Sequence, residues 1–107
     1  MQHETREHGE HTIVGLSGHI DLQSSAQVRE VLLQVVSTGR GVCVDLAAVE
    51  YIDSSGVAAL VESFQKARSG GQDYVLVSVS DSAKRVLQLA RLDKVFTMAD
   101  SIDEATG

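Results

Sequence analysis

The chain of 107 residues carries 15 acidic against 9 basic side chains, a net charge of −6, with 43% hydrophobic and 22% charged residues. Such a chain forms one small acidic domain that buries roughly 65% of its unfolded surface without a staple, which excludes a second domain and the polar composition of disordered chains. The deficit of Lys and Arg, with only Tyr51, Phe64, Tyr74 and Phe96 as aromatics, leaves neither a phosphate-binding footprint nor a base-stacking platform, so nucleic acid is not an expected partner.

The N-terminal segment is polar and lacks the apolar run of a signal or membrane-spanning segment. With Cys43 as the one cysteine no internal disulfide forms, and a cytoplasmic protein without membrane insertion is expected. Gln2 to Glu7 alternates poorly and offers little support for a first edge strand. Ile13-Val14-Gly15-Leu16 reads as a strand. Val28, Val31, Leu32 and Val35 then recur at helical spacing, with Ser24 and Gln27 as a capping box and Gly39 as the stop. Val42 to Leu46 is the next strand, followed by a loop.

Val57, Leu60, Val61 and Phe64 repeat the helical spacing, with Glu62 and Lys66 set as an i, i+4 pair and Gly70-Gly71 as terminator. Tyr74 to Val79 is a β-branched strand of the kind covered on both faces. Ala83, Val86, Leu87 and Ala90 form a third stripe capped by Ser80, Val95 to Met98 a weaker strand, and Asp100 or Ser101 starts a short last helix. The order predicts an α/β fold: right-handed crossovers, a mostly parallel sheet of four or five strands and about four helices. Function is expected at the carboxyl ends of the strands.

There the chain passes through Asp53-Ser54-Ser55-Gly56 into the helix that begins near Val57. Asp53 is the expected N-cap, accepting from the amides of Ser55 or Gly56 and leaving Ser54 in the first turn. An anion is favoured there by about 0.3–1 kcal/mol when exposed, so a phosphate on Ser54 is compatible with the fold. A helix cap with no further role accounts for the same four residues.

Val44-Asp-Leu, Val49-Glu-Tyr-Ile-Asp-Ser-Ser-Gly-Val57, Leu16-Ser-Gly-His-Ile-Asp21, Gly71-Gln-Asp-Tyr-Val-Leu-Val77 and Val86-Leu-Gln-Leu-Ala-Arg-Leu-Asp-Lys-Val-Phe96 together resemble the STAS domain family, and within it the stand-alone anti-sigma factor antagonists. The resemblance covers about residues 10–105 and keeps motif order and spacing, so residues 1–107 are expected to form a single STAS domain. It implies that Ser54 is phosphorylated by an anti-sigma factor that is also a serine kinase of the GHKL type. The unphosphorylated protein then captures that partner, the phosphorylated one releases it, and a phosphatase restores the cycle. It further implies that Asp21, Asp53, Ser54, Ser55 and Gly56 form or border the docking surface. His19 stands where acidic residues are frequent in the family.

No enzyme signature accompanies these residues. Gly15-Leu16-Ser17-Gly18 is not a nucleophile elbow, no phosphate loop is present, and Asp45 lacks the acidic pair that would hold magnesium. His3, His8, His11 and His19 have neither a cysteine nor an i, i+4 spacing between them, so exposed histidines are expected rather than a metal site. Lys84, Arg85, Arg91 and Lys94 read as a solvated face of the third helix. Neither catalysis nor a cofactor is expected, and the protein is expected to be a monomer or a weak dimer. A STAS subunit bound to the ATPase of a lipid transport complex is the alternative function; a nucleotide-binding domain ranks third.

Overall fold

The computed structural model covers residues 1–107 and shows a five-stranded sheet in the order β1-β2-β3-β4-β5. The strands are β1 (Gln2–His8), β2 (His11–Ile20), β3 (Gly41–Ile52), β4 (Tyr74–Val77) and β5 (Thr97–Ala99). β1 is antiparallel to β2, and the other three pairings are parallel. Helices α1 (Ser25–Ser37), α2 (Ser54–Ser69) and α3 (Asp81–Leu89) connect the parallel strands, and α4 (Ile102–Thr106) ends the chain. No helix is long and apolar enough to cross a membrane.

Alternation along the strands divides the interior in two. Val14, Val44 and Leu76 join a cluster with Val28 and Leu32 of α1, Val57 and Leu60 of α2, and Ala83 and Leu87 of α3. Ile13, Cys43, Val75 and Val77 form a smaller cluster on the opposite face, against Ala99, Ile102 and Ala105. Each fully buried Val, Leu or Ile contributes roughly 1.5–3 kcal/mol.

The capping expectations hold for α2, α3 and α4: Asp53 accepts from Ser55 N and Gly56 N, Ser80 from Ala83 N, and Ser101 from Glu104 N. Ser24 does not cap α1. Its backbone is already helical (φ −107°, ψ −13°), so the hydroxyl faces back to the preceding turn, accepting from Asp21 N at 3.0 Å. Glu62 does not pair with Lys66 but with Arg29 of α1, through Nε at 2.5 Å and Nη2 at 2.8 Å, because α1 and α2 pack side by side.

The sequence-predicted strands all change extent: Ile13 to Leu16 lies inside the longer β2, and the run from Tyr74 ends at Val77 rather than Val79. β1 is a strand despite its poor alternation: all seven side chains are exposed, so no buried face exists to create a period. Val95 and Phe96 lie ahead of β5, their amides on the carbonyl of Leu92, and Phe96 packs on Phe64 and Tyr74 at centroid distances of 5.0 and 6.3 Å.

The largest difference is β3. The expected loop after Leu46 is strand as far as Ile52, delivering the chain directly to Asp53. Gly15 opposes Asp45 but Ser17 opposes Ala48, and Gly18 opposes Val49 but His19 opposes Tyr51. Each irregularity inserts one extra β3 residue, a bulge that re-aims the side chains after it. The buried positions therefore become Leu46, Val49 and Ile52, a spacing of three that hides the strand from a period-two reading.

Candidate functional site

Ile20 and Ile52 are registered partners at the carboxyl ends of β2 and β3. Asp21 and Asp53 thus leave adjacent parallel strands at one level, and the Asp53 amide donates to the Ile20 carbonyl at 3.0 Å. This is the edge where function was expected, and it brings Asp21 together with Asp53, Ser54, Ser55 and Gly56.

Asp53 Oδ1 accepts from the amides of Ser55 and Gly56 at 3.0 and 3.1 Å and from the Ser55 hydroxyl at 2.5 Å. The Ser55 hydroxyl above all, with the amides of Gly56, Ser55 and Leu22, holds the Asp53 carboxyl below the usual carboxylate range, against the opposing effect of desolvation. The carboxylate therefore takes the place at the helix N-terminus that another anion would favour. The neighbouring Ser54 is exposed, and no hydrogen bond engages its hydroxyl. Two adjacent serines thus differ: one hydroxyl is committed to the cap and the other is displayed.

Gly56 is buried beneath this turn because a side chain has no room there. A Cβ would lie 2.6 Å from Ile20 Cγ2, 2.8 Å from Ile52 Cγ1 and 3.2 Å from the Ile20 carbonyl. The absence of a side chain lets the first turn of α2 rest on the strand ends.

Asp21 organises the other half of the edge. Its carbonyl accepts from the amides of Ser24 and Ser25, at 3.1 and 2.8 Å. Its Oδ1 accepts from Gln23 N at 3.0 Å, and its own amide donates to Ser24 Oγ. The loop is locked by its own polar groups, and Leu22 within it is 78% exposed.

Sequence reasoning left one grouping at this edge unforeseen. His19 Nε2 lies 3.4 Å from Glu50 Oε2, and the His19 ring meets Tyr51 edge-on at 6.0 Å. Their proximity depends on the second β3 bulge, which leaves no local sequence signal. Elsewhere, His3 and His8 are exposed on β1 as expected. His11 is not exposed: its side chain is 14% accessible, its Nε2 lies 3.4 Å from Asp73 Oδ2, and its ring covers Gly41. Cys43 is buried, and burial first, then the charge of Asp73, raises its thiol pKa. Lys84, Arg85, Arg91 and Lys94 are exposed, the last two beyond the end of α3.

The family model described as STAS domain matches residues 2–105. The anti-sigma-B factor antagonist of Listeria monocytogenes is 27% identical over 99 residues, covering 92% of this chain and 87% of the relative. Among solved structures, an anti-sigma factor antagonist from Mycobacterium paratuberculosis matches with a TM-score of 0.89 at 24% identity, over 98% of this chain and 90% of that one. The Bacillus cell fate determinant SpoIIAA in its phosphorylated form matches with a TM-score of 0.74 at 18% identity, over 98% and 96% of the two chains. This chain belongs to the STAS domain family.

Proposed function

From that family membership, we propose that the chain is an anti-sigma factor antagonist, a binding protein switched by phosphorylation of Ser54. Unmodified, it captures an anti-sigma factor that is also a serine kinase, and so regulates sigma-factor-dependent transcription. The kinase moves the γ-phosphoryl group of its own ATP to Ser54 Oγ, releasing ADP and the hydroxyl proton. A phosphatase hydrolyses the ester and restores the first state.

The observation that carries this reading is the contrast between the serines. Ser54 presents a free hydroxyl in the first turn of α2, whereas Ser55 donates its hydroxyl to Asp53. The relatives' names support the partner class, and the fold is shared with a protein that exists in a phosphorylated form.

The fold accommodates the phosphate while the partner does not. Phosphorylation adds about −1.5 to −2 charges beside a carboxylate that already holds the Ser55 and Gly56 amides. The new charge therefore stays at the surface. A partner packed over the neutral hydroxyl would have to bury it uncompensated, a loss of roughly 2–5 kcal/mol, or about 30- to 4000-fold in affinity.

The test incubates the chain with purified anti-sigma factor kinases and ATP and maps the product by mass spectrometry. One phosphoryl group on Ser54 and loss of the complex on gel filtration are expected. Modification confined to other residues overturns the assignment.

A further inference from the structure

β1 is the outermost strand of the sheet and pairs only with β2. The hairpin between them closes through the two-residue turn Gly9-Glu10, with Gly9 at φ +61°, and His8 faces His11 across it. In an antiparallel ladder the residues flanking such a turn exchange both backbone bonds, and bonded positions then alternate along the strand. Glu4, Arg6 and His8 therefore direct their N–H and C=O groups toward β2, while those of His3, Thr5 and Glu7 point outward. No strand lies beyond them, and all seven side chains of β1 are exposed, so no helix stands over either face.

An open edge recruits another strand unless its side chains forbid it, and natural edges commonly carry charges that do so. Here the charges favour pairing. Two antiparallel copies of β1 related by a two-fold axis at Thr5 set Glu4 opposite Arg6, His3 opposite Glu7 and Thr5 opposite itself. The outward-facing His3, Thr5 and Glu7 then meet one another, each pair exchanging both backbone bonds. Glu4 and Arg6 fall in the sites between them, where side chains come closest and opposite charges are stabilising. Sliding one strand by two residues sets Glu4 against Glu4 or Arg6 against Arg6, and sliding it by one brings outward-facing groups onto groups already bonded to β2. Among these registers the one centred on Thr5 alone satisfies both the backbone and the charges.

We infer that β1 is a self-association surface: two copies of the chain join edge to edge about Thr5 into one continuous sheet. This goes beyond the proposed function and does not depend on it. The junction runs along the side of the sheet, whereas Asp21, Asp53 and Ser54 stand at the strand ends, so the dimer leaves that edge open on both copies. One short strand from each copy makes a small interface, and the dimer is expected to be weak, with a Kd between roughly 10 μM and 1 mM.

Sedimentation velocity over a range of concentrations tests this with wild type, Glu4→Arg, Arg6→Glu and an equimolar mixture of the two variants. Each variant alone places like charges face to face at both symmetry-related sites and is expected to raise the Kd at least about fivefold. In the mixture every Arg of one variant faces a Glu of the other, so a heterodimer is expected with a Kd within about threefold of wild type. A defect of folding would not be repaired by mixing. Wild type that stays monomeric at about 1 mM overturns the proposal, as does a variant that associates as tightly as wild type or a mixture no tighter than its components. Thr5→Pro removes the central outward N–H and leaves the β1–β2 ladder intact. It is expected to abolish the dimer without lowering Tm. Dimerisation that survives this change overturns the pairing, and a Tm lowered by more than about 5 °C assigns that N–H to the β1–β2 ladder and overturns the register.

Discussion

The amide of Asp53 donates to the carbonyl of Ile20 across 3.0 Å, joining the last residue of β2 to the cap of α2. Gly56 makes this approach possible, since a Cβ there would press into the side chains of Ile20 and Ile52 and the Ile20 carbonyl itself. Gly56→Ala is therefore expected to destabilise the fold by about 1–3 kcal/mol, lowering Tm by roughly 5–15 °C, despite the better helix propensity of alanine. Thermal melting checks this, and an unchanged Tm would show that the strand ends yield at little cost.

Asp53 is held below its ordinary pKa by the Ser55 hydroxyl and the neighbouring amides. Its charged form is favoured by folding, so the contribution is fully present above the unfolded pKa, near 4, and is lost as pH falls through the lower folded value. Denaturant titrations of wild type and Asp53→Asn are expected to differ at neutral pH, with the gap starting to narrow near pH 4 and closing only once the pH is below the lower folded value. Ser55→Ala, which removes the largest of these interactions, is expected to narrow the gap at neutral pH.

Ser54 makes no hydrogen bond that the fold would miss. Ser54→Ala is expected to melt within a degree or two of wild type, retain the partner and take up no phosphate. Ser54→Asp keeps the fold but weakens capture at least about tenfold, with a carboxylate standing in for part of the phosphate charge. Equal binding by the two variants would count against a charge-operated switch.

The hydroxyls of Ser63 and Tyr74 meet at 2.7 Å inside the core, and Ser63 also donates to the Leu60 carbonyl at 3.0 Å. Burial pushes the Tyr74 pKa well upward, against the opposing effect of Ser63. Ser63→Ala leaves the phenol with only the Leu60 carbonyl at 3.4 Å and is expected to cost about 1–3 kcal/mol. A raised folded pKa means that this phenol's contribution is complete below the unfolded pKa, near 10, and declines as pH rises above it. Tyr74→Phe should lessen the loss of stability in alkali, as followed by circular dichroism.

The legible features of the sequence were local ones. Asp53, Ser80 and Gly39 act through bonds or dihedrals within a few residues, and the stripes of α1, α2 and α3 record burial directly. The sequence hid what depends on a distant partner. β3 beyond Leu46 takes its spacing of three from bulges against β2, and Glu62 finds Arg29 thirty-three residues away. Ser24 serves Asp21 and not its own helix. The motif located Ser54, but only the hydrogen bonds distinguish it from Ser55.

The smaller apolar cluster is closed by a short helix none of whose residues is itself buried. Such a segment detaches far more readily than the sheet beneath it unfolds. Cys43, wholly covered in the closed state, is thus a natural clock for that motion: a maleimide reaches the sulfur only during the intervals when the C-terminal turn lifts away. Labelling rates will count those openings without any engineered probe.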